Sequence, residues 1–381
     1  MFESLDIKNY RNLKELRLSS LGKINLITGK NNTGKSTLLE AIAIYASKGN
    51  MSLIYQLLGD RGENFRQMEI NKNYIDLNIK ALSSLFTNRI LSFKKSDSIS
   101  IGSIENTIFG LEQSYENYMG IRFVRYFDKV IQLPDKVNLN TLIRTERTIA
   151  EDIPENQAGE YKIGLEMRSG SSSYILSLDE DRPFRFGYKA LGNNERFEYI
   201  RTRNIDKDIN GRLWDNIILT EKEGYVIEAL KIIEPNTERI AFIEENQKER
   251  TAVIKLSNTN NVVPLKSMGD GINRILTIIL ALVNADGGFL LIDEFENGLH
   301  HTVQEKLWDI IFKLSKKLKI QVFVTTHSED CISGFENILN DSDNSLNGKL
   351  IRLDNVNGII RQVEFDAKEL KIASDNNIEI R

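Results

Sequence analysis

Apolar residues mark two similar clusters near the ends of the chain and a stretch of different rhythm between them. Residues 24 to 47 run strand, glycine loop, helix: Ile24-Asn25-Leu26-Ile27 stops at Gly29, and Leu38, Leu39, Ile42 and Tyr45 keep helical spacing after Ser36. Near the other end, Phe289 to Ile292 is a continuous apolar run, the pattern of a strand buried on both faces. Val303, Leu307, Ile310, Ile311 and Leu314 then mark an amphipathic helix, and Ile320 to Val324 reads as another strand. Strands alternating with helices at this spacing predict a parallel sheet with right-handed crossovers.

The middle of the chain is different. Short β-like runs (Tyr74 to Leu77, Tyr161 to Leu165, Tyr174 to Leu178, Phe197 to Ile200, Ile240 to Ile243, Thr251 to Leu256) alternate with turn-rich segments such as Ser169-Gly170-Ser171-Ser172-Ser173. This reads as an insertion of antiparallel strands with a few helices, one of them around Leu213 to Ile232. There is no repeat and no sustained heptad, which argues against a long coiled-coil arm. Asn340 to Gly348 reads as a solvated loop before a final strand, turn and short helix.

Composition narrows the classes. A chain of 381 residues has room for about two or three domains. Its 50 Lys and Arg against 54 Asp and Glu give a net charge of −4, so nucleic-acid binding would need a local basic patch. The longest aliphatic stretch, Ile275 to Val283, is broken by Thr277 and falls far short of the roughly 18 apolar residues of a membrane span. The opening MFESLDIKNYRNLK lacks the apolar core of a secretory signal, and a lone Cys331 cannot close an intrachain disulfide. A cytoplasmic protein with no membrane partner is expected. His300, His301 and His327 with one Cys cannot build a zinc framework, so metal chemistry would rest on carboxylates or phosphate-bound magnesium.

Gly29-Lys30-Asn31-Asn32-Thr33-Gly34-Lys35-Ser36 matches G-x-x-x-x-G-K-[ST] between the predicted strand and helix. The glycines let backbone N–H groups face phosphate oxygens, and the following helix, through Thr37, presents its positive end. Lys35 would place a charge between the β- and γ-phosphates, and Ser36 would give its hydroxyl oxygen to Mg²⁺. Asp293-Glu294 closes the apolar run from Phe289, at the strand end that faces the ligand crevice in an open α/β sheet. Asp293 would hold the magnesium shell and Glu294 would act as general base toward water. His327, just past the next strand, can reach a γ-phosphate. Lys266-Ser267-Met268-Gly269-Asp270-Gly271 precedes an apolar helix and leaves free amides, a second anion site best used against a nucleotide held by another copy. His300 and His301 read as contact residues.

Taken in order, the phosphate loop, the Ser267-x-Gly269 turn, Asp293-Glu294 and His327 resemble Walker A, signature, Walker B and switch histidine of the ABC-class ATPases. The resemblance is closer to the AAA-type members related to the overcoming-lysogenisation-defect (OLD) family, RecF-like proteins and SMC heads. Leu5-x-Ile7-x-Asn9-Tyr10-Arg11-Asn12-Leu13 at the start and Ile378-Glu379-Ile380-Arg381 at the end also resemble that group. It implies a P-loop NTPase of α/β class, an ABC ATPase head with a large β-rich and helical insertion between Walker A and signature. The expected layout is an N-terminal lobe over 1–75, an inserted region over 76–260 and a C-terminal lobe over 261–381. ATP and Mg²⁺ are the implied cofactors, ATP hydrolysis the activity, and a homodimer or higher oligomer the working form. Met268 departs from the usual serine-glycine-glycine turn, and Gln56 and Gln67 are both candidates for the glutamine that follows the first lobe.

Only 54 residues follow His327, fewer than the Toprim nuclease domain that OLD-like proteins commonly carry. The resemblance therefore implies a separately encoded effector, a nuclease of Toprim or HNH type, controlled by this chain in anti-phage defence. The competing readings are a RecF-like DNA clamp for repair and a scaffold that binds ATP with negligible turnover. Arg122, Arg125, Arg182, Arg185, Arg201 and Arg203, interleaved with Phe123, Tyr126, Phe184 and Phe186, could offer DNA contact or simply mark half-buried strands. Asp206-x-Asp208-x-Asn210-Gly211 begins like a calcium loop but has Ile217 where the bidentate carboxylate belongs. Asp179-Glu180-Asp181 reads as a solvated hairpin tip.

Overall fold

The computed structural model describes residues 1–63, 74–103, 118–134, 141–150, 161–178, 191, 194–202, 208–246, 249–258, 261–340, 347–376 and 378–381. The chain opens with β1 (Leu5–Tyr10) and β2 (Leu13–Leu18), joined by a turn in which Asn9 and Arg11 take left-handed backbone. Next come β3 (Ile24–Thr28), buried at all five positions, and helix α1 (Lys35–Ala46). Two further helices follow. α2 (Met51–Asp60) is capped by Asn50, whose side chain accepts from the Ser52 and Leu53 amides. α3 spans Tyr74–Ser83.

A meander comes next: β4 (Ile99–Gly102), β5 (Tyr118–Pro134), β6 (Thr141–Ile149), β7 (Lys162–Ser169) and β8 (Ser172–Ser177). The Ser169–Ser173 segment is the hairpin turn between β7 and β8, as its composition predicts, with Gly170 at φ 57°. The remaining elements are β9 (Phe197–Ile200), α4 (Ile209–Asp215), α5 (Glu221–Ile233), β10 (Thr237–Asn246), β11 (Glu249–Leu256) and β12 (Val262–Pro264). They continue with α6 (Asp270–Asn284), β13 (Phe289–Ile292), α7 (His301–Leu318), β14 (Gln321–Thr325) and α8 (Glu329–Leu339). The chain closes with β15 (Gly348–Val356), β16 (Ile359–Phe365) and α9 (Ala367–Asp375).

The chain divides into two compact units. The first comprises Met1–Leu5, Leu16–Ser47 and Glu195–Arg381. Its sheet has the order β16-β15-β3-β14-β13-β9, in which β15, β3, β14, β13 and β9 run parallel and β16 returns antiparallel at the edge. β13 and β14 are fully buried, which is why their sequences are unbroken apolar runs instead of alternating ones. Helices α6 and α7 supply the core with Ile275, Leu276, Ile279, Leu282, Leu307, Trp308 and Ile311.

The second unit comprises Asp6–Glu15 and Lys48–Asn194. It is built on antiparallel pairings, with β1 against β4, β4 against β5, β5 against β7 and β7 against β8, and β6 off β5.

Four sequence expectations need correction. Tyr74 to Leu77 starts a helix, because the buried set Leu77, Ala81, Leu82 and Leu85 has helical spacing that a four-residue window cannot reveal. Phe197 to Ile200 is not part of an antiparallel insertion: β9 pairs parallel with β13, Phe197 opposite Phe289 and Ile200 opposite Ile292. The helix expected over Leu213 to Ile232 is two helices, broken where Leu219 takes φ 63° and Thr220 caps α5 by accepting from the Lys222 amide. The C-terminal strand is a hairpin of two, β15 and β16, turning through Asn357 and Gly358. Residues 341–346 of the expected loop, and Gln67, lie outside the described residues.

Candidate active site

The parallel sheet ends in the loop Thr28 to Gly34. Gly29 has φ 134°, and a Cβ there would lie 2.3 Å from the Leu353 carbonyl oxygen and 2.8 Å from Thr33 Oγ1, so any side chain would displace the loop. Gly34 caps α1 at φ 92°, a left-handed conformation that costs glycine nothing. It brings no side-chain cap, and the first turn of α1 holds no acid. The leading amides of Lys35 and Ser36 and the positive helix end are thus left for an anion. Thr33 Oγ1 fastens the loop by donating to the Lys30 carbonyl at 2.9 Å. Asn31 and Asn32 are exposed at its crown.

Lys35 is buried, and its ammonium bends back to donate to the carbonyls of Gly29 at 2.6 Å and Lys30 at 3.0 Å. Burial depresses its pKa to about 8, against the opposing pull of Asp293, Glu296 and Glu294. A buried cation satisfied by two loop carbonyls is poised to exchange them for phosphate oxygens.

Asp293 ends β13 and is buried. Its Oδ1 accepts from Ser36 Oγ at 2.9 Å and Thr325 Oγ1 at 2.7 Å, and its Oδ2 accepts from Thr202 Oγ1 at 3.2 Å. One carboxylate thus gathers hydroxyls delivered by the phosphate loop, by β14 and by the segment after β9. Ser36 and Asp293 offer hard oxygens side by side, the donor set Mg²⁺ takes when substrate phosphates complete its shell. Among the described residues no group of three or more His, Cys, Asp or Glu could hold a metal by itself.

Glu294 is half-buried and takes φ 51°. A left-handed glutamate stores about 1–3 kcal/mol, and it turns the side chain away from the strand direction. Thr325 holds the turn, its Oγ1 accepting the Glu294 N–H at 2.9 Å and its carbonyl accepting the Phe295 N–H at 3.0 Å. Arg274, from α6, donates through Nη2 to the carbonyls of Asp293 at 3.2 Å and Glu294 at 3.4 Å.

His327 sits half-buried after β14, where its backbone N–H donates to Glu296 Oε1 at 2.7 Å. Thr326 Oγ1 donates to the other oxygen of Glu296 at 2.7 Å. Ser267 lies exposed in a short turn before α6, its hydroxyl donating to the Pro264 carbonyl at 2.7 Å. Gly269 caps α6 at φ 106° without a side-chain cap, and a Cβ there would meet no atom within 4 Å. This second helix end is open. His300 and His301 are exposed, His300 capping α7 with its ring nitrogen accepting from the Thr302 amide.

Thr202, Thr325, Glu296 and Arg274 carry no motif and were not singled out from the sequence. The calcium-like string does not form a loop site: Asp208 pairs with Arg250 at 3.0 Å, as does Asp215 at 2.8 Å, and Asp206 lies outside the described residues. Of the arginine set, Arg122 pairs with Glu166, and Arg125 lies over the rings of Phe93 and Tyr161 at 4.6 and 4.8 Å. Phe123 and Tyr126 are core residues. Asp179-Glu180-Asp181, Arg182, Phe184, Arg185, Phe186 and Arg203 lie outside the described residues.

Comparison with known proteins fits this geometry. The model of the family described as AAA ATPase domain matches residues 1–332. The chain belongs to that family. An ATP/GTP phosphatase of Helicobacter pylori is 24% identical to this ATPase over 93% of the chain and 92% of its own length. The DNA replication and repair protein RecF of Rickettsia typhi is 25% identical, covering 88% of the chain and 96% of itself. Among solved structures, an SMC head bound to the C-terminal winged-helix domain of ScpA covers 96% of the chain and 97% of its own at 15% identity, with a TM-score of 0.47. The ATPase has an α/β P-loop fold and is similar to RecF. Among its described residues no helix is long and apolar enough to cross a membrane.

Proposed function

We propose that this ATPase is a nucleotide-driven switch in which two copies clasp two ATP molecules, each covering the other's γ-phosphate with its Ser267–Gly269 turn. The observation that carries the reading is the pair of open helix ends. α1 begins at the phosphate loop beside Lys35, Ser36 and Asp293, while α6 begins after an exposed turn in which Gly269 brings no side-chain cap.

The residues divide the work. Gly29 to Thr37 and Lys35 bind and orient the triphosphate, with Lys35 leaving the Gly29 and Lys30 carbonyls for its β- and γ-oxygens. Ser36 and Asp293 would hold Mg²⁺, which when bound neutralises charge on the phosphates. Glu294 accepts the proton of the attacking water, and the backbone turn at φ 51° sets where its carboxylate points. His327, on a loop pinned by Glu296, reads whether the γ-phosphate is present.

Glu294→Gln should retain ATP binding and lower kcat by about a thousandfold, whereas Lys35→Ala should weaken binding itself. Equal turnover by wild type and Glu294→Gln would remove the base assignment. The output is inferred from the OLD-like motif set: the switch controls a separately encoded nuclease in anti-phage defence. Copurification of a nuclease with the ATP-bound Glu294→Gln protein, and its loss with Lys35→Ala, would support this.

The RecF relative, which matches almost end to end, favours a second reading as an ATP-dependent DNA clamp. That reading expects DNA binding by the isolated protein with a steep dependence on salt concentration.

A further inference from the structure

Arg274 stands on the apolar helix α6, one turn after Asp270, and sequence patterning gives no reason for a cation there. Burial pushes its pKa below the ordinary arginine value, although Asp293, Glu294 and Glu296 act in the opposite sense. Its Nε is buried with no hydrogen-bond partner. A half-buried guanidinium with a buried, unsatisfied Nε is a poor device for stability, because an apolar side chain would fill the same volume without the desolvation cost.

What Arg274 does satisfy is specific. The left-handed turn at Glu294 has four backbone groups in play. Two N–H groups, of Glu294 and Phe295, go to Thr325. Two carbonyls, of Asp293 and Glu294, accept from Arg274 Nη2, and that of Glu294 also accepts the Asn297 N–H at 3.1 Å. One residue of β14, through its hydroxyl and its backbone carbonyl, and one side chain from α6 thus fix both peptide planes on either side of Glu294 Cα, and with them the direction of the Glu294 side chain.

We infer that Arg274 is a positioning residue for ATP hydrolysis, holding the strained backbone at Glu294 so that its carboxylate faces the attacking water. It acts through Glu294 and has no part in nucleotide binding. The inference rests on Glu294 being the base. Because α6 starts at the Ser267–Gly269 turn, the same arginine ties that turn to the acidic pair.

The test uses the full-length wild type, Arg274→Gln, Arg274→Lys, Glu294→Gln and the Arg274→Gln/Glu294→Gln double variant. It compares ATP hydrolysis with the affinity for a fluorescent ATP analogue. Arg274→Gln should lower kcat by about tenfold to a hundredfold, as a misplaced catalytic group does, with affinity unchanged. Arg274→Lys, which keeps the charge but reaches one carbonyl at a time, should fall between. The double variant should be no slower than Glu294→Gln alone, since a positioning residue has nothing left to position. Wild-type kcat in Arg274→Gln, equal losses of kcat and affinity, or a further loss in the double variant would overturn the inference. Should Arg274→Gln lose its thermal unfolding transition, Arg274→Lys decides: lowered kcat at unchanged affinity supports the role, and wild-type kcat refutes it. Full turnover by Glu294→Gln would instead overturn the base assignment, a distinguishable failure.

Discussion

Charge around the phosphate loop of the parallel unit is met differently from the buried charge of the antiparallel unit. In the antiparallel unit, charges close on one another: Glu63 takes Arg11 and Arg89 at 2.7 Å each, Glu166 takes Arg122, and Asp128 takes Lys162 at 2.6 Å. In the parallel unit, Asp293, Lys35 and Arg274 meet hydroxyls and carbonyls, partners that can be exchanged for phosphate, metal or water. The difference follows from sheet type. Parallel strands bring the ends of β3, β13 and β14 to one edge with helix N-termini close by, so polar groups gather where backbone donors are already unsatisfied. An antiparallel meander spreads its charges across a face, where cross-strand pairs such as Arg122 and Glu166 neutralise them.

The largest effect that would sharpen this contrast lies in the antiparallel unit. Glu63→Ala leaves the buried Arg11 without its carboxylate and should cost about 3–5 kcal/mol in chemical denaturation. If the loss is below about 1 kcal/mol, the pair behaves like a surface bridge and the contrast fails.

Next comes Lys35→Ala, expected to weaken ATP binding by about a hundredfold, or ~2.7 kcal/mol. The depressed pKa of Lys35, about 8, adds a pH signature. Phosphate oxygens stabilise the ammonium, so nucleotide binding raises that pKa and takes up a proton once the pH passes 8. Affinity should therefore fall as pH climbs beyond that value. Calorimetry in buffers of different ionisation enthalpy should detect proton uptake by wild type and none by Lys35→Ala.

The smallest effect concerns Glu198 on the edge strand β9, whose pKa burial raises to about 7 against the opposing pull of Arg212. A carboxyl that holds its proton more tightly folded than unfolded contributes stability below pH 4.5 and loses it as pH rises toward 7. Glu198→Gln should flatten that slope by on the order of 1 kcal/mol in melts across the range.

Much of the site could be read from the chain because its chemistry is local. The phosphate loop, the acids after an apolar run and the histidine after the next strand each carry their context within a few residues. Thr202 could not be read that way, since it reaches Asp293 only because β9 pairs with a strand some ninety residues later in the sequence. Arg274 and Glu296 act on backbone groups, which leave no residue pattern. The same non-locality hid the parallel pairing of Phe197 to Ile200, a four-residue run whose period fits either kind of sheet. Tyr74 to Leu77 failed for the related reason that a window so short cannot separate periods of two and 3.6 residues.

The shared nucleotide site is tested most directly by mixing two crippled copies, Lys35→Ala and Ser267→Arg, each inactive alone. Pairing them rebuilds one complete site from the phosphate loop of one copy and the serine turn of the other. An equal mixture should recover up to about a quarter of wild-type ATP turnover if pairs form at random and sites work independently. A mixture as inactive as its components would contradict the account.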